Sequence, residues 1–102
     1  MPAQLTTLEP EVTITAVAAA LSSSNILAQS IILVADSTNT GTAYIGGSDV
    51  NADNGIPLAA GGSLVLSDDK GHSNLDIDLN EIYVIGTAND LLRVNYIVRT
   101  SQ

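Results

Sequence analysis

The side chains in this sequence that could carry chemistry are mainly carboxylates, and they fall into two groups. Asp49, Asn51 and Asp53 stand at alternate positions ahead of Gly55, as oxygen ligands do at the start of a calcium loop. The register does not close such a loop. Its glycine should follow the third ligand directly, where Asn54 stands, and the bidentate glutamate that completes it falls on Ala60. A solvated turn accounts for the same residues. The second group, Asp68, Asp69, Asp76, Asp78 and Glu81, surrounds His72, the one histidine. Together they could offer oxygens and an imidazole to a metal, but carboxylates at alternate positions of a strand usually mark its wet face. An acid-base pair would need an apolar wall to raise one pKa, and nothing in the pattern supplies it. Ser67 and Ser73 lie near His72 without the G-x-S-x-G setting of a nucleophile. Gly46-Gly47 and Gly61-Gly62 lack the Lys-Ser/Thr and the helix of a phosphate cradle. No catalytic, cofactor-binding or metal-binding residue is assigned, and the chain is not expected to be an enzyme.

The elements that hold these residues must come from one core, because 102 residues make one domain. With 45% hydrophobic residues the chain is apolar enough to fold, and without Phe or Trp its core is aliphatic and largely β-branched. Tyr44, Tyr83 and Tyr96 are the only aromatics. A tyrosine ring can stack on a sugar, but each of these lies within a strand pattern, where a ring packs in the core or at an interface. Eleven acids against three cations give a net charge of −8, which excludes nucleic acid and anionic membranes as main partners. There is no cysteine, so no disulfide framework or thiolate site is available. The apolar stretch at residues 12–21 follows Glu9 and Glu11 with no Lys or Arg before it, the wrong flank for a secretory leader. No apolar run approaches the roughly 20 residues of a membrane span, and a soluble protein is expected.

Residues 1–11, with Pro2 and Pro10, show no periodicity and read as an extended arm, frayed or tied down by a neighbour. Residues 12–102 read as the folded domain. Val12, Ile14, Ala16 and Ala18 alternate as a half-buried strand does, although residues 17–21 also suit a short helix. Ile31, Ile32, Leu33 and Val34 form a central strand covered on both faces, which a hairpin should join to the strand at residues 42–45. Leu75, Ile77 and Leu79 alternate with Asp76 and Asp78, whose carboxylates should face water. Residues 82–85 are again apolar on both faces, and Leu92, Val94, Tyr96 and Val98 alternate with Arg93, Asn95 and Arg99. The expected fold is all-β: a single β-sandwich or small jelly-roll-like barrel of about seven or eight mostly antiparallel strands. A domain this small should not hold two doubly covered strands, so a subunit interface could cover the second face.

The stretch Asn39-Thr40-Gly41-Thr42-Ala43-Tyr44-Ile45-Gly46-Gly47-Ser48-Asp49-Val50, followed by Asn54-Gly55-Ile56-Pro57-Leu58 and Gly61-Gly62-Ser63, resembles small tailed-bacteriophage virion proteins. With the closing aliphatic strand at residues 92–98, the resemblance covers residues 30–99, most of the chain. Its motif residues, Asn39, Gly41, Tyr44, Gly46, Gly55 and Pro57, shape turns and strand ends. What the resemblance implies is a structural virion protein, a head decoration or cement protein binding between subunits of the major capsid protein or another virion protein. It would be a homo-oligomer, with a trimer favoured, soluble in the host cytoplasm before assembly and placed on the capsid exterior, where −8 avoids repulsion by packed DNA. The expected interface residues are Pro2, Leu5 and Leu8 of the arm, with Ile31, Leu33, Tyr83 and Ile85. The competing reading is a host-surface adhesin or glycan-binding module on a head or tail fibre.

Overall fold

In the computed structural model, which describes residues 3–8, 11–67 and 77–99, short strands follow one another with a turn former at nearly every break. They are β1 (Ala3–Thr7), β2 (Val12–Thr13), β3 (Ala19–Ala20), β4 (Leu27–Ala28), β5 (Ser30–Ala35) and β6 (Ala43–Gly46). After these come β7 (Ile56–Leu58), β8 (Ser63–Ser67), β9 (Ile77–Asp78), a 3-10 turn (Leu79–Glu81), β10 (Tyr83–Ile85) and β11 (Leu91–Arg99). β1, β11, β5 and β8 lie side by side in that order, with β2 also on β11, and make a five-stranded sheet. A four-stranded sheet runs β3-β10-β6-β7, and β4 pairs with β9. Every pairing is antiparallel. The fold is all-β, as the alternation requires, and takes the form of a small β-sandwich.

Strand parity builds the core. On β5, Ile31, Leu33 and Ala35 are fully buried, and their register partners on β11, Tyr96, Val94 and Leu92, point the same way. From the four-stranded sheet Ala43, Ile45, Leu58 and Val84 meet them, with Ile14, Leu21, Ala28 and Leu79 filling the ends. All of these are aliphatic except the partly buried Tyr96, so the two layers pack without any large ring at the centre.

Four differences from the sequence reading have physical causes. Eleven strands occur among the described residues, and seven of them have three residues or more. The additional ones, β2, β3, β4 and β9, are two-residue fragments with no periodicity to show in sequence. The run at residues 12–18 is not one strand: Ile14 closes onto the opposite turn, its N–H donating to Asp90 and its carbonyl accepting from Asn89. Thr15 then folds its hydroxyl onto the Val17 carbonyl at 2.7 Å, leaving Val17 exposed, and residues 19–20 join β10 as a strand, not a helix. The expected hairpin between β5 and β6 does not form, because β6 belongs to the other sheet and pairs with β10 and β7. Finally, residues 3–7 of the expected arm pair with β11 of their own chain from Ala3↔Arg99 to Thr7↔Asn95, which supplies the extended segment with backbone partners.

Candidate interaction surface

The β5 to β6 crossover is tied to the start of β11 by three short polar side chains. Asp36, buried, accepts from the Thr38 N–H at 2.9 Å and the Thr38 hydroxyl at 2.7 Å, while its other oxygen takes Arg93 Nη2 at 3.0 Å. The Thr38 N–H chiefly, helped by the Thr38 hydroxyl and Arg93, holds the Asp36 carboxyl below its ordinary range. Asp90, also buried, accepts from the Thr40 N–H at 3.0 Å and the Gly41 N–H at 3.0 Å, and the Thr40 N–H leads in lowering its pKa. Between them Asn39 uses its side-chain amide as a strand would use its backbone. It donates to the Leu91 carbonyl at 2.9 Å and accepts from the Leu91 N–H at 2.8 Å. Gly41 is required here by close approach, since a Cβ would run into the Thr87 hydroxyl.

The other motif residues are also framework. Gly55 lies where a Cβ would stand 2.7 Å from both Tyr44 Cβ and Val50 Cγ2, and Gly46 also backs onto Val50. Pro57 sits opposite Tyr44 on β7, an edge strand, the position in a sheet that tolerates a missing N–H. The Asp49-Asn51-Asp53 segment is a self-wired turn: the Asn51 side chain accepts from the N–H groups of Asp53 at 2.8 Å and Asn54 at 3.1 Å. Asp68, Asp69, His72, Ser73 and Asp76 lie outside the described residues. Asp78, expected to face water, is half-buried and also serves the fold. It caps the 3-10 turn by accepting from the Asn80 N–H at 2.9 Å, and takes the Asn25 amide at 2.6 Å and the Ile26 N–H at 3.1 Å. The Asn25 contact is the main cause of its lowered pKa. Among the described residues, no three His, Cys, Asp or Glu side chains gather as a metal site would need.

The expected interface residues divide by parity. Ile31 and Leu33, both 0% exposed, belong to the chain's own core and cannot meet a partner. An unbroken apolar run does not show in sequence which alternate set points inward, and it is Ile32 and Val34 that look out. In the sheet register Ile32 stands beside Val65, which is 60% exposed, and Leu5, 62% exposed, stands beside Ile97. Leu5, Ile97, Ile32, Val34 and Val65 thus form a diagonal apolar patch on the outer face of the five-stranded sheet. No described element lies across it, and its rim is polar. There Thr7 donates to Asn95 at 2.6 Å, and Arg93 carries Glu11 on its Nε at 2.7 Å. Apolar surface within a polar rim is the usual mark of a protein contact. Leu8 packs partly against the core, and Pro2 lies outside the described residues.

Tyr83 and Ile85 flank the buried Val84 and are half-buried on the outer face of the other sheet. Ile85 stands opposite Tyr44 there, and both line an open cavity of about 390 Å³ with Ala16, Ala52, Thr42 and Thr87. The Asp36-Asn39-Asp90 cluster and the outer apolar patch were not visible in the sequence. Asp36 and Asn39 are turn formers there, and only the register makes Val65 and Leu5 neighbours of Ile32 and Ile97. Set beside known protein families, curated proteins and solved structures, the chain matches none of them.

Proposed function

We propose that this chain is a structural subunit of a bacteriophage virion, a decoration or cement protein that sits on the outside of the head between subunits of the major capsid protein. The observation that carries this reading is the apolar diagonal Leu5-Ile97-Ile32-Val65, which no described element crosses, on a domain whose described polar clusters are spent on its own turns. The resemblance of its turn motifs to virion proteins gives the surface a partner, and a charge of −8 suits the capsid exterior. The test is direct. Capsids carrying the protein should withstand heating or chelator that opens capsids lacking it, and Val65→Asp should weaken binding about tenfold or more by placing a charge in the contact. Capsids equally robust without the protein would overturn the proposal.

A glycan-binding module on a head or tail fibre is the second reading, and one observation favours it. The Tyr44 ring shares the cavity of about 390 Å³ with the hydroxyl-bearing Thr42 and Thr87, a platform and hydrogen-bonding groups that suit a sugar. Binding on a glycan array that Tyr44→Ala abolishes would favour it, and an array with no signal would remove it.

A further inference from the structure

We propose that β8 is the seam of a two-fold dimer: its free border takes β8 of a second copy, antiparallel and centred on Val65. This contact concerns how copies meet each other and stands apart from the capsid reading. Among the described residues β8 ends the five-stranded sheet, with β5 on one side and no strand on the other. The phase of the ladder with β5 fixes which backbone groups are left over. The Ala35 N–H donates to the Gly62 carbonyl at 2.9 Å, so at alternate positions Leu33 and Ile31 bond to their register partners Leu64 and Leu66. The N–H and C=O groups of Ser63, Val65 and Ser67 therefore point away from the sheet, a row that a further strand can pair with.

The occupant is a second copy because this border is its own complement. β8 reads Ser63-Leu64-Val65-Leu66-Ser67, the same in both directions. Centred on Val65, antiparallel pairing sets Val65 against Val65, Leu64 against Leu66 and Ser63 against Ser67, so like stands opposite like along the whole strand. The groups of Ser63, Val65 and Ser67 that point outward then fall at the hydrogen-bonded positions, where each opposed pair exchanges both of its N–H···O bonds. The other borders of the two larger sheets lack this symmetry: β1 reads Ala-Gln-Leu-Thr-Thr, β3 is two residues long, and β7 carries Pro57.

The side chains fit the same partner. Leu64 and Leu66 are only half-buried where the core reaches this border, and each would be covered by the other from the facing copy. On the outer face the exposed Val65 would meet its own counterpart beside Ile32, which joins the apolar patches of the two copies into one. No charged residue stands between Asp53 and Asp68 in the sequence, so two chains of −8 can bring this border together without a carboxylate in either strand. Charged side chains, above all Lys, or a proline ordinarily keep an exposed border from pairing with its like, and β8 has neither. The contact is isologous and closes at two copies. A seam of five residues a side is small, so the pair belongs to crowded copies.

The experiment uses the full chain, followed by sedimentation at rising concentration to about 1 mM. The expected result is a species of twice the 10.5 kDa of one chain. Val65→Pro removes an N–H that points away from β5, so it should leave the fold standing by far-UV circular dichroism and weaken pairing at least about tenfold. Cross-linking reads the register, in a chain that has no cysteine of its own. At the two-fold, V65C faces its own copy at a Cα separation of about 5.5 Å, which suits a disulfide, whereas S63C lies about 14 Å along the strands from its counterpart. Oxidation at the same concentration should make V65C a covalent dimer and leave S63C largely single. A parent chain that stays single at every concentration overturns the proposal. So does a dimer that a folded Val65→Pro variant leaves intact, or S63C linking as fully as V65C. Should Val65→Pro fail to fold, the contrast between the two cysteine variants decides by itself.

Discussion

Leu33 and Val65 are both apolar strand residues of the five-stranded sheet, yet opposite parity assigns them opposite energetics. Leu33 is 0% exposed between Val94 and Leu64, so Leu33→Ala removes buried methyl groups and leaves a cavity that close-packed aliphatic neighbours fill only in part. The cost is about 2–5 kcal/mol, a large share of the roughly 5–15 kcal/mol available to a domain of this size. Val65 is 60% exposed, so Val65→Ala gives up little burial and should cost under about 1 kcal/mol. For 102 residues the unfolding entropy near 60 °C is about 0.2 kcal/mol/K, so a loss of about 3 kcal/mol lowers Tm by about 14 °C. The Val65 variant should stay within about 5 °C of the parent. Thermal unfolding followed by far-UV circular dichroism, with urea midpoints as a second measure, reads the contrast. Equal shifts for the two variants, or a larger one for Val65→Ala, would refute the register of β5 on β8 and with it the inner and outer faces of the sheet.

Acid should destabilise the fold through Asp36, Asp78 and Asp90, whose folded pKa values lie below their ordinary ones. Their contribution is complete above the unfolded value of about 3.9 and is lost as pH falls through the lower folded values. Urea midpoints should therefore hold steady down to about pH 5 and drop below about pH 4, and D36N/D78N/D90N should flatten that drop; an unchanged slope counts against the hydrogen bonds assigned to them. Asn39→Asp puts a carboxylate against the Leu91 carbonyl it now donates to and should cost about 1–3 kcal/mol in chemical denaturation, with no change as the contrary result. Gly55→Ala should cost about 1–3 kcal/mol by overpacking against Tyr44 and Val50, whereas Gly47→Ala, whose Cβ meets nothing nearer than 3.7 Å, should stay within about 0.5 kcal/mol. Similar midpoints for the two alanine variants would contradict the placement of Gly55.

What could be read in the sequence was what local physics decides. The alternation of Leu92, Val94 and Tyr96 with Arg93 and Asn95 made β11 visible, and Gly46, Gly55 and Gly61-Gly62 marked where strands stop. Sheet membership was not local. Asp36 to Gly41 has the composition of a hairpin turn, and only the reach of Asn39 to Leu91 and of Asp90 to Thr40 turns it into a crossover between layers. The run Ile31 to Val34 carries no alternation, so its inward set was open, and Ile31 and Leu33 proved to be the buried pair. Asp78 shared its strand pattern with Asp76, but hydrogen-bond donors distant in sequence, Asn25 and Ile26, drew its carboxylate onto the fold. The outer patch depends on register across four strands, which no single segment encodes.

Pro57 has a consequence beyond the fold it interrupts. A subunit with two receptive sheet borders can extend without limit, and limitless addition ends in fibres. Here the border formed by β7 carries a residue with no N–H to offer an incoming strand. Growth of the four-stranded sheet past β7 would meet that gap at once, so stacking of copies is turned away on that side.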